Sequence, residues 1–452
     1  MKHLLFSSLL AASAAAGLLS RDHVRRGYGS HHIARQADAS CGTSGSVYSK
    51  DGGFRSVLYV TNWGIYGAKF LPSDIPVSEI THVQYAFADI REDGSVVSSD
   101  EWADTQKIFA GSSAPPGGGG GANGTKDAYG MVGRLYRLKQ QNRHLKVLLS
   151  VGGYTWSPKF EPVAADATKR ATFVSTAVKL MGDWGMDGLD IDWEYPDTAA
   201  KNANSVSLLA DLRKGLDDYA AQHAPGYRFT LSFPAPAGPD HYRAFNFKAM
   251  DASLDFWSVM AFDFAGNWDN TTGHQANVFP EPSTPLATKA SIDQAVADYV
   301  AGGVPPGKLN VGIPLYGRSF DKTTGLGKPY TPSTAGSLDG QAAIWLYKDL
   351  PRAGATVLYD DVAKATYTFD NSTGQLVSYD DKKSAQFKSQ YIKEKGLGGV
   401  MFWEASQDKN NSASMVRSVA GWLEELQCSQ NLLSYPGSQY NNIRTNMGKG
   451  NA

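Results

Sequence analysis

The chain has 452 residues, of which 42% are hydrophobic, so it can bury a sizeable core and is not a disordered chain. Its 43 Lys and Arg nearly cancel its 44 Asp and Glu, which leaves no general basic field for nucleic acid. The sequence also lacks a polybasic run beside an amphipathic helix, a pattern typical of membrane-surface binding. We therefore expect neither a nucleic-acid nor a membrane partner.

The first 20 residues, MKHLLFSSLLAASAAAGLLS, have the form of a signal peptide, with Lys2, an apolar run and then small residues. The apolar run, residues 4–19, is short and rich in Ser and Ala, which argues against a membrane span. A buried N-terminal helix is the alternative. Residues 21–54 are polar, basic and aperiodic, and we interpret them as a propeptide or a loose arm. The sequence thus predicts a secreted, extracellular protein.

The two cysteines, Cys41 and Cys428, are too few for a disulfide framework. They flank the region that is expected to fold, so a bridge that ties its two ends together is one of the alternatives left open. A secreted chain can carry glycans on Asn-X-Ser/Thr sites. The candidate sites are Asn123, Asn270, Asn371 and Asn410.

Strand and helix patterns alternate along most of the chain. Short β-rich apolar runs predict strands at residues 56–63, 80–90, 145–153, 188–195, 228–236, 255–264, 308–320 and 397–406. Helical patterns occur at residues 128–142, 167–185, 204–223, 291–303 and 382–396. This alternation predicts a (β/α)8 TIM barrel over residues 55–428, with a doubly wound open sheet as the competing arrangement.

Three segments do not fit the alternation. Residues 112–124, SSAPPGGGGGANG, cannot form a helix and are expected to be a flexible loop. Residues 321–379, between strand seven and its helix, are too long for an ordinary βα loop and contain strand-like pieces. They predict a small α+β insertion domain on the C-terminal rim of the barrel, where the active sites of such barrels lie. Residues 429–452 form a polar tail without a recognisable second binding module.

The stretch DGLDIDWEYP, residues 187–196, places several carboxylates in an otherwise apolar strand. Side chains alternate faces along a strand, so Asp190, Asp192 and Glu194 share the face that points into the barrel. Negative charges this close repel one another, so ionising all of these carboxyl groups costs free energy, and one or more of their pKa values must rise. A carboxyl group with a raised pKa at the barrel mouth is suited to act as a general acid.

These acids have three other interpretations. They could form a solvated acidic loop, or be neutralised by buried arginines. They could also bind a metal ion, but metal sites in proteins usually recruit histidine. Of the nine histidines, His82 is the only one placed within a predicted strand, and it lies in the N-terminal half of that strand. We therefore expect no metal and no cofactor.

Residues 187–196 resemble the DxxDxDxE signature of the family 18 glycoside hydrolases, the chitinases. SVGG (150–153) is similar to the family's SxGG motif, and MAFD (260–263) resembles its MxYD motif. YGRSF (316–320) and FWEAS (402–406) resemble the strand-seven and strand-eight motifs. The likeness extends over nearly the whole chain after residue 55, and it is greatest to secreted fungal chitinases that carry an insertion domain.

The resemblance implies a substrate-assisted retaining mechanism. Glu194 would protonate the glycosidic oxygen and later act as the base toward water. Asp192 would hold the acetamido group of the −1 sugar, whose carbonyl oxygen attacks its own anomeric carbon. Asp190 would share a proton with Asp192 and tune it, while Asp187 would support the lower end of the strand.

The resemblance also implies a set of sugar contacts. Asp263 would bind the −1 sugar, Tyr316 and Arg318 would contact the −1 and minus-side sugars, and Trp403 would be the apolar floor of the −1 site. Tyr59 and Phe87 would face the barrel interior. Trp63, Trp156, Trp268 and Trp345 could be sugar platforms or core residues.

Two positions depart from the family pattern. Phe262 replaces the tyrosine of MxYD, whose hydroxyl would bond the acetamido oxygen; losing such a bond typically costs ~2–4 kcal/mol of transition-state stabilisation. Tyr154 stands where relatives often have Trp, at a +1 stacking platform. We therefore expect a slower enzyme, or one that holds the acetamido group by other donors, with weaker plus-side affinity.

These features predict a monomeric chitinase acting on chitin and chitooligosaccharides. A chitin-binding lectin without turnover is one alternative, which Phe262 keeps open although Glu194 is present. An endo-β-N-acetylglucosaminidase acting on N-glycans is another, and the expected insertion domain favours a linear polymer instead.

Overall fold

The computed structural model describes residues 48–49, 52–109 and 126–449, with only the backbone of residues 48–49 described. All of these residues belong to one compact unit, residues 37–452. The expected signal peptide, Cys41, Asn123 and the glycine-rich loop at 112–124 lie outside the described residues. Within the described part of the chain, no helix is both long and apolar enough to cross a membrane.

The core of the fold is a closed barrel of eight parallel strands. Each strand pairs with the next in sequence, and the last pairs with the first. The prediction of a (β/α)8 barrel is therefore confirmed, and the open sheet was wrong. The strands are β1 (Arg55–Thr61), β2 (His82–Ile90), β3 (Lys146–Gly152), β4 (Gly188–Asp192), β5 (Thr230–Pro236), β6 (Phe256–Met260), β7 (Leu309–Pro314) and β8 (Gly399–Trp403).

Seven α-helices follow the strands after β1, among the residues that the structure describes. They are α1 (Gly130–Gln141), α2 (Ala167–Asp183), α3 (Ala199–His223), α4 (Phe247–Asp251), α5 (Ile292–Ala301), α6 (Lys382–Glu394) and α7 (Met415–Leu423). Asp166, Thr198 and Ser291 cap α2, α3 and α5 by accepting bonds from backbone N–H groups of the first turn. The connection after β1 contains only the 3₁₀ turns Asn62–Ile65 and Pro72–Asp74.

Shorter elements fill the remaining connections. The strand Val96–Ser98 pairs in antiparallel fashion with β2, and Tyr48–Ser49 pairs in parallel with Leu426–Gln427. The other short helical elements are the π-helix Trp102–Gln106, the α-helical turns Phe160–Ala165, Pro239–Tyr242 and Asn441–Arg444, and the 3₁₀ turns Ser157–Lys159, Pro285–Ala287, Pro306–Lys308, Ala405–Gln407 and Asn446–Gly448.

The barrel strands are buried on both faces, as is usual for parallel sheets covered by helices. Their outward side chains, such as Leu189 and Ile191 of β4, belong to the large core between the barrel and the helices. A second, smaller apolar cluster fills the inside of the barrel with Val57, Tyr59, Ala86, Phe87, Leu148, Phe256 and Met401. The acids of β4 therefore point into an interior that is otherwise largely apolar.

An antiparallel sheet lies between β7 and α6. The expected single strand over residues 308–320 is in fact two strands, because Leu315 ends the pairing with β8 and Tyr316–Asp321 joins the second sheet. Hydrophobic periodicity alone could not show this change of partner. The other strands are Thr331–Pro332, Ile344–Leu346, Thr356–Asp360, Ala365–Asp370 and Gln375–Tyr379. Within residues 316–379, the only helical structure is the 3₁₀ turn Tyr347–Asp349.

Residues 429–449 pack across the N-terminal end of the barrel. Asn431 donates its side-chain amide to the carbonyls of Lys139, Asn142 and Leu145. The backbone N–H of Leu432 donates to Asp187, which also forms a buried ion pair with Lys139 at 2.9 Å. The polar residues of this tail are thus used in hydrogen bonds to the barrel. Cys428, just before the tail, is disulfide-bonded.

Candidate active site

A cavity of about 2010 Å³ opens at the C-terminal end of the barrel. Its walls come from the loops after several barrel strands and from the insertion sheet. The charged and aromatic residues that line it include Tyr59, Trp63, Phe87, Tyr154, Trp156, Asp192, Glu194, Tyr195, Phe262, Asp263, Trp268, Tyr316, Arg318 and Trp403. This is the end of the fold at which TIM-barrel active sites lie.

Asp192 ends β4, and Glu194 follows it at the cavity wall. Trp193, between them, is 2% exposed and stacks on Phe160 with 5.3 Å between ring centroids. Ser157 accepts a hydrogen bond of 2.7 Å from the backbone N–H of Glu194. The anchored tryptophan and this bond fix the backbone so that Asp192 and Glu194 both line the cavity.

Asp190 lies below these two acids and is fully buried. Its carboxylate accepts hydrogen bonds from three hydroxyl groups, those of Tyr59 at 2.8 Å, Ser150 at 2.7 Å and Ser232 at 2.7 Å. The donors come from β1, β3 and β5. A carboxylate with this many donors is stabilised in its ionised form, in spite of its burial.

Burial raises the pKa values of all three acids. The pKa of Asp190 rises only to about 6, because the three hydroxyl donors oppose the effect of burial. The pKa of Asp192 rises well above its usual range through burial and the charges of Glu194 and Asp190. Burial, with a further contribution from Asp263, raises the pKa of Glu194 to about 7. The cluster thus holds protons on Asp192 and Glu194 near neutral pH.

The expected sharing of a proton between Asp190 and Asp192 stays a prediction. The hydrogen bonds that the structure gives to Asp190 come from hydroxyl groups, and Oδ1 of Asp192 is buried without a hydrogen-bond partner among the described residues. The two carboxyl groups interact here through charge. Asp187 lies at the other end of β4, in the ion pair with Lys139.

A second charged group stands opposite the acids. Asp263 follows β6 in a left-handed conformation with φ of 61°, a strained geometry for a residue other than glycine. Arg318 binds both of its carboxylate oxygens, at 2.8 and 2.7 Å, and the hydroxyl of Tyr316 donates to it at 2.7 Å. Burial acts to lower the pKa of Arg318, but the carboxylate of Asp263 outweighs this effect and raises that pKa above its ordinary value. The hydrogen bonds among Asp263, Tyr316 and Arg318 thereby connect the barrel to the insertion sheet at the cavity.

No group of three or more His, Cys, Asp or Glu side chains within residues 52–109 and 126–449 is arranged to hold a metal ion. Asp190 contacts hydroxyl groups, and Asp263 contacts a hydroxyl group and a guanidinium. The chemistry that the acids near the cavity can support is proton transfer with electrostatic stabilisation of positive charge.

Comparison with known proteins identifies the family. Residues 55–408 match the model of glycosyl hydrolases family 18. The chain belongs to this family. The chain is also 48% identical to Chitinase 1 of Aphanocladium album, over 89% of this chain and 93% of that protein. Endochitinase 1 of Metarhizium robertsii is 46% identical, over 88% of this chain and 91% of its own length.

Solved structures agree with this assignment. Chitinase ChiA74 from Bacillus thuringiensis superimposes with a TM-score of 0.76 at 30% identity, covering 84% of this chain and 71% of that one. The protein is therefore a family 18 glycoside hydrolase, and its recognition from the sequence motifs is confirmed.

Aromatic rings form the floor of the hydrolase's cavity. Trp403, at the end of β8, stacks on Phe87 with 5.8 Å between ring centroids and contacts Tyr59 at 5.2 Å. Trp63 lies 6.0 Å from Phe87, and Trp156 packs partly buried against the same cluster. Flat apolar surfaces of this kind suit the faces of sugar rings.

Some of the aromatic residues project into solvent at the cavity wall. Tyr154 is 79% exposed, and Trp268 is 59% exposed. The guanidinium of Arg318 lies 4.8 Å from the Trp268 ring and supports it. Trp345 is different, since Arg352 lies 4.0 Å over its ring and it does not line the cavity.

Phe262 lies in the cavity wall between the acids and the Asp263 group. Its ring meets that of Tyr316 edge-on, with 6.2 Å between centroids. The side chain brings no hydrogen-bonding group to this wall of the hydrolase.

Sequence reasoning missed several residues of the hydrolase site. Ser232 and Gln84 form a hydrogen-bonded chain to Asp190, and Tyr195 bonds Glu194. A polar residue at an inward position of an apolar strand was the available signal for Ser232 and Gln84. Their partners could not be read from the sequence, because the pairing depends on how the strands are staggered in the barrel.

Proposed function

We propose that the protein is a secreted retaining chitinase that cleaves β-1,4 bonds between N-acetylglucosamine units. The observation that carries this proposal is Glu194, whose pKa is raised to about 7 beside Asp192 at the wall of an aromatic-lined cavity. The names of two similar fungal relatives, Chitinase 1 and Endochitinase 1, support chitin as the substrate.

In the proposed reaction, the Glu194 carboxyl gives its proton to the glycosidic oxygen as the bond to the anomeric carbon breaks. The acetamido carbonyl oxygen of the −1 sugar forms the new bond to that carbon, which gives an oxazolinium ion. Asp192 accepts a hydrogen bond from the acetamido N–H and stabilises the positive charge of the oxazolinium ion. Glu194 then removes a proton from water as the water oxygen bonds to the anomeric carbon. The bond between that carbon and the acetamido oxygen breaks, which opens the oxazolinium ring with net retention.

The other residues hold the sugars. Trp403 is the proposed floor of the −1 site, and the group formed by Asp263, Tyr316 and Arg318 binds the −1 and minus-side sugars. Tyr154 is the proposed +1 platform, and its exposed ring leaves a face free for stacking. Trp156, Tyr59 and Phe87 shape the apolar part of the groove.

We also propose that the protein acts outside the cell as a monomer. The sequence of residues 1–20 is the support for secretion. Asn270, Asn371 and Asn410 are all exposed, as a glycan site must be. Asn123, the fourth candidate, lies outside the described residues.

A lectin without turnover is the second candidate, because Phe262 removes a hydroxyl from the wall beside the acids. Both candidates can be tested with chitin tetra- to hexasaccharides, using the protein and Glu194→Gln, with Glu425→Gln as an exposed control. NMR of the new reducing ends should give β-anomers with the protein and with the control, and no turnover with Glu194→Gln. Binding without turnover by the unmodified protein would favour the lectin.

A further inference from the structure

We propose that Gln84 and Ser232 are positioning residues that hold Asp190 as an anion and thereby keep the proton of the acid pair on Asp192. This inference rests on the proposed function, because Asp190 acts on the substrate only through Asp192. Neither residue lines the cavity. Both lie in the barrel interior and are fully buried.

A chain of two hydrogen bonds crosses the barrel from β2 through β5 to β4. Nε2 of Gln84 donates to Oγ of Ser232 at 3.1 Å, and Oγ of Ser232 donates to Oδ1 of Asp190 at 2.7 Å. A serine hydroxyl has one proton to give. Because an N–H of Gln84 already occupies a lone pair of that oxygen, the serine proton is directed to Asp190.

Ser232 has a distinct role among the three donors. Tyr59 and Ser150 both donate to Oδ2 of Asp190, whereas Ser232 is the donor to Oδ1 among the described residues. Without its hydroxyl, one oxygen of a fully buried carboxylate would lose its bond. A buried acceptor left unsatisfied costs more free energy than an exposed one, and the carboxylate would bind a proton more tightly.

The titratable groups around Asp190 are few. Tyr59 faces it from β1, and Asp192 and Glu194 follow it on its own segment. The donors from β3 and β5 are neutral serines, and Gln84 on β2 is also neutral. The buried charges of Arg55 and Lys146 act on His82. Of the two neighbouring carboxyl groups, Asp192 is the one whose pKa is raised by the charge of Asp190, after the larger effects of burial and of Glu194.

The consequence for catalysis follows from this coupling. An ionised Asp190 disfavours ionisation of its neighbour, so the pair retains one proton and one negative charge. A second proton on the pair would remove its one negative charge, which stabilises the positively charged acetamido group through Asp192. The Gln84–Ser232 chain makes that second protonation harder and so extends activity toward acidic pH.

The test compares two buried serines. Ser232→Ala removes the donor to Asp190, whereas Ser258→Ala is the matched control, because Oγ of Ser258 on β6 is buried without a hydrogen-bond partner among the described residues. The pH dependence of kcat/KM on a chitin oligosaccharide would be measured for both. In Ser232→Ala we expect the acidic limb to move up by about one pH unit, with the basic limb unchanged.

Further variants keep the test decisive. Ser232→Thr keeps the hydroxyl and should restore the original acidic limb. Gln84→Leu should shift the limb in the same direction as Ser232→Ala, and it serves if Ser232→Ala does not fold. Equal acidic limbs in Ser232→Ala and Ser258→Ala, with a uniform loss of rate, would overturn the proposal.

A second readout does not need activity. Ser232→Ala should lower the melting temperature relative to Ser258→Ala only at pH values where Asp190 is ionised, above about 6. Absence of turnover in the unmodified protein, together with this pH-dependent difference, would contradict the proposed function and not the positioning role. Turnover without any such difference would contradict the positioning role alone.

Discussion

Glu194 is kept partly protonated near neutral pH by its surroundings and not by its sequence neighbours alone. Its pKa rises from an ordinary 4.5 to about 7, mainly through burial. The folded protein therefore binds this proton more tightly than the unfolded chain does. The contribution of this bound proton to the free energy of unfolding is fully present below pH 4.5 and is lost as the pH rises to about 7.

We expect Glu194→Gln to raise the melting temperature relative to the unmodified protein, because glutamine has no proton to lose. The gain should grow between pH 5 and pH 7 and then level off. Scanning calorimetry across this range would measure it. A gain that is the same at every pH would show that burial does not raise this pKa.

Phe262 is the residue at which the site departs most from its family. We expect Phe262→Tyr to raise kcat by about thirty- to a thousandfold, because a hydroxyl there can bond the acetamido oxygen as charge develops. Initial rates on chitin tetrasaccharide would measure the change. Phe279→Tyr, a partly buried ring packed against Phe387, is the control and should leave kcat unaltered. An unchanged rate in Phe262→Tyr would mean that other donors already hold the acetamido group.

Between elements, the connection that matters most is the one from the barrel to the insertion sheet. Asp263 comes from the loop after β6, and Arg318 comes from the first strand of the insertion. Their bidentate bond fixes the two walls of the cavity against each other.

We expect Arg318→Lys to lower kcat/KM by about tenfold or more, since an ammonium cannot bind both oxygens of Asp263 in the same plane. Steady-state kinetics on chitin oligosaccharides would measure the loss. Arg352→Lys is the matched control, because Arg352 also lies over a tryptophan ring but does not line the cavity. Equal effects of the two substitutions would indicate a general weakening of the insertion sheet.

Elements differ in how far the sequence determines them. The alternation in β4 was sufficient to predict that Asp190, Asp192 and Glu194 share a face, because period two is a local property of a strand. The break at Leu315 was not predictable in this way, since residues 308–320 read as one continuous strand pattern and the two halves differ in the sheet that they join. The partners of Ser232 likewise depend on contacts between distant segments.

Across the whole molecule, the buried pair of Lys139 and Asp187 connects helix α1, the lower end of β4 and the C-terminal tail. Burial lowers the pKa of Lys139 to about 8, with Asp187 opposing the effect. Tyr227 and Leu432 complete the hydrogen bonds of Asp187. A charge in such a place is stable only while all of its partners are present.

We expect Lys139→Met to lower the free energy of unfolding by about 3–5 kcal/mol, because it leaves Asp187 buried without its cation. Lys179→Met removes a lysine that pairs with Asp183 while 65% exposed, and it should cost less than about 1 kcal/mol. Chemical denaturation of both variants would measure the difference. Similar losses would mean that the hydrogen bonds from Tyr227, Val147 and Leu432 satisfy Asp187 without the lysine.

The tail also has a consequence for the order of events during synthesis. Asp187 leaves the ribosome 245 residues before Leu432, the backbone donor that completes its hydrogen bonds. At about 5–20 residues per second, Asp187 waits roughly 10–50 s for that donor. Until then the lower end of β4 carries an incompletely bonded carboxylate, so the barrel reaches its final stability only when the last segment of the chain has been made.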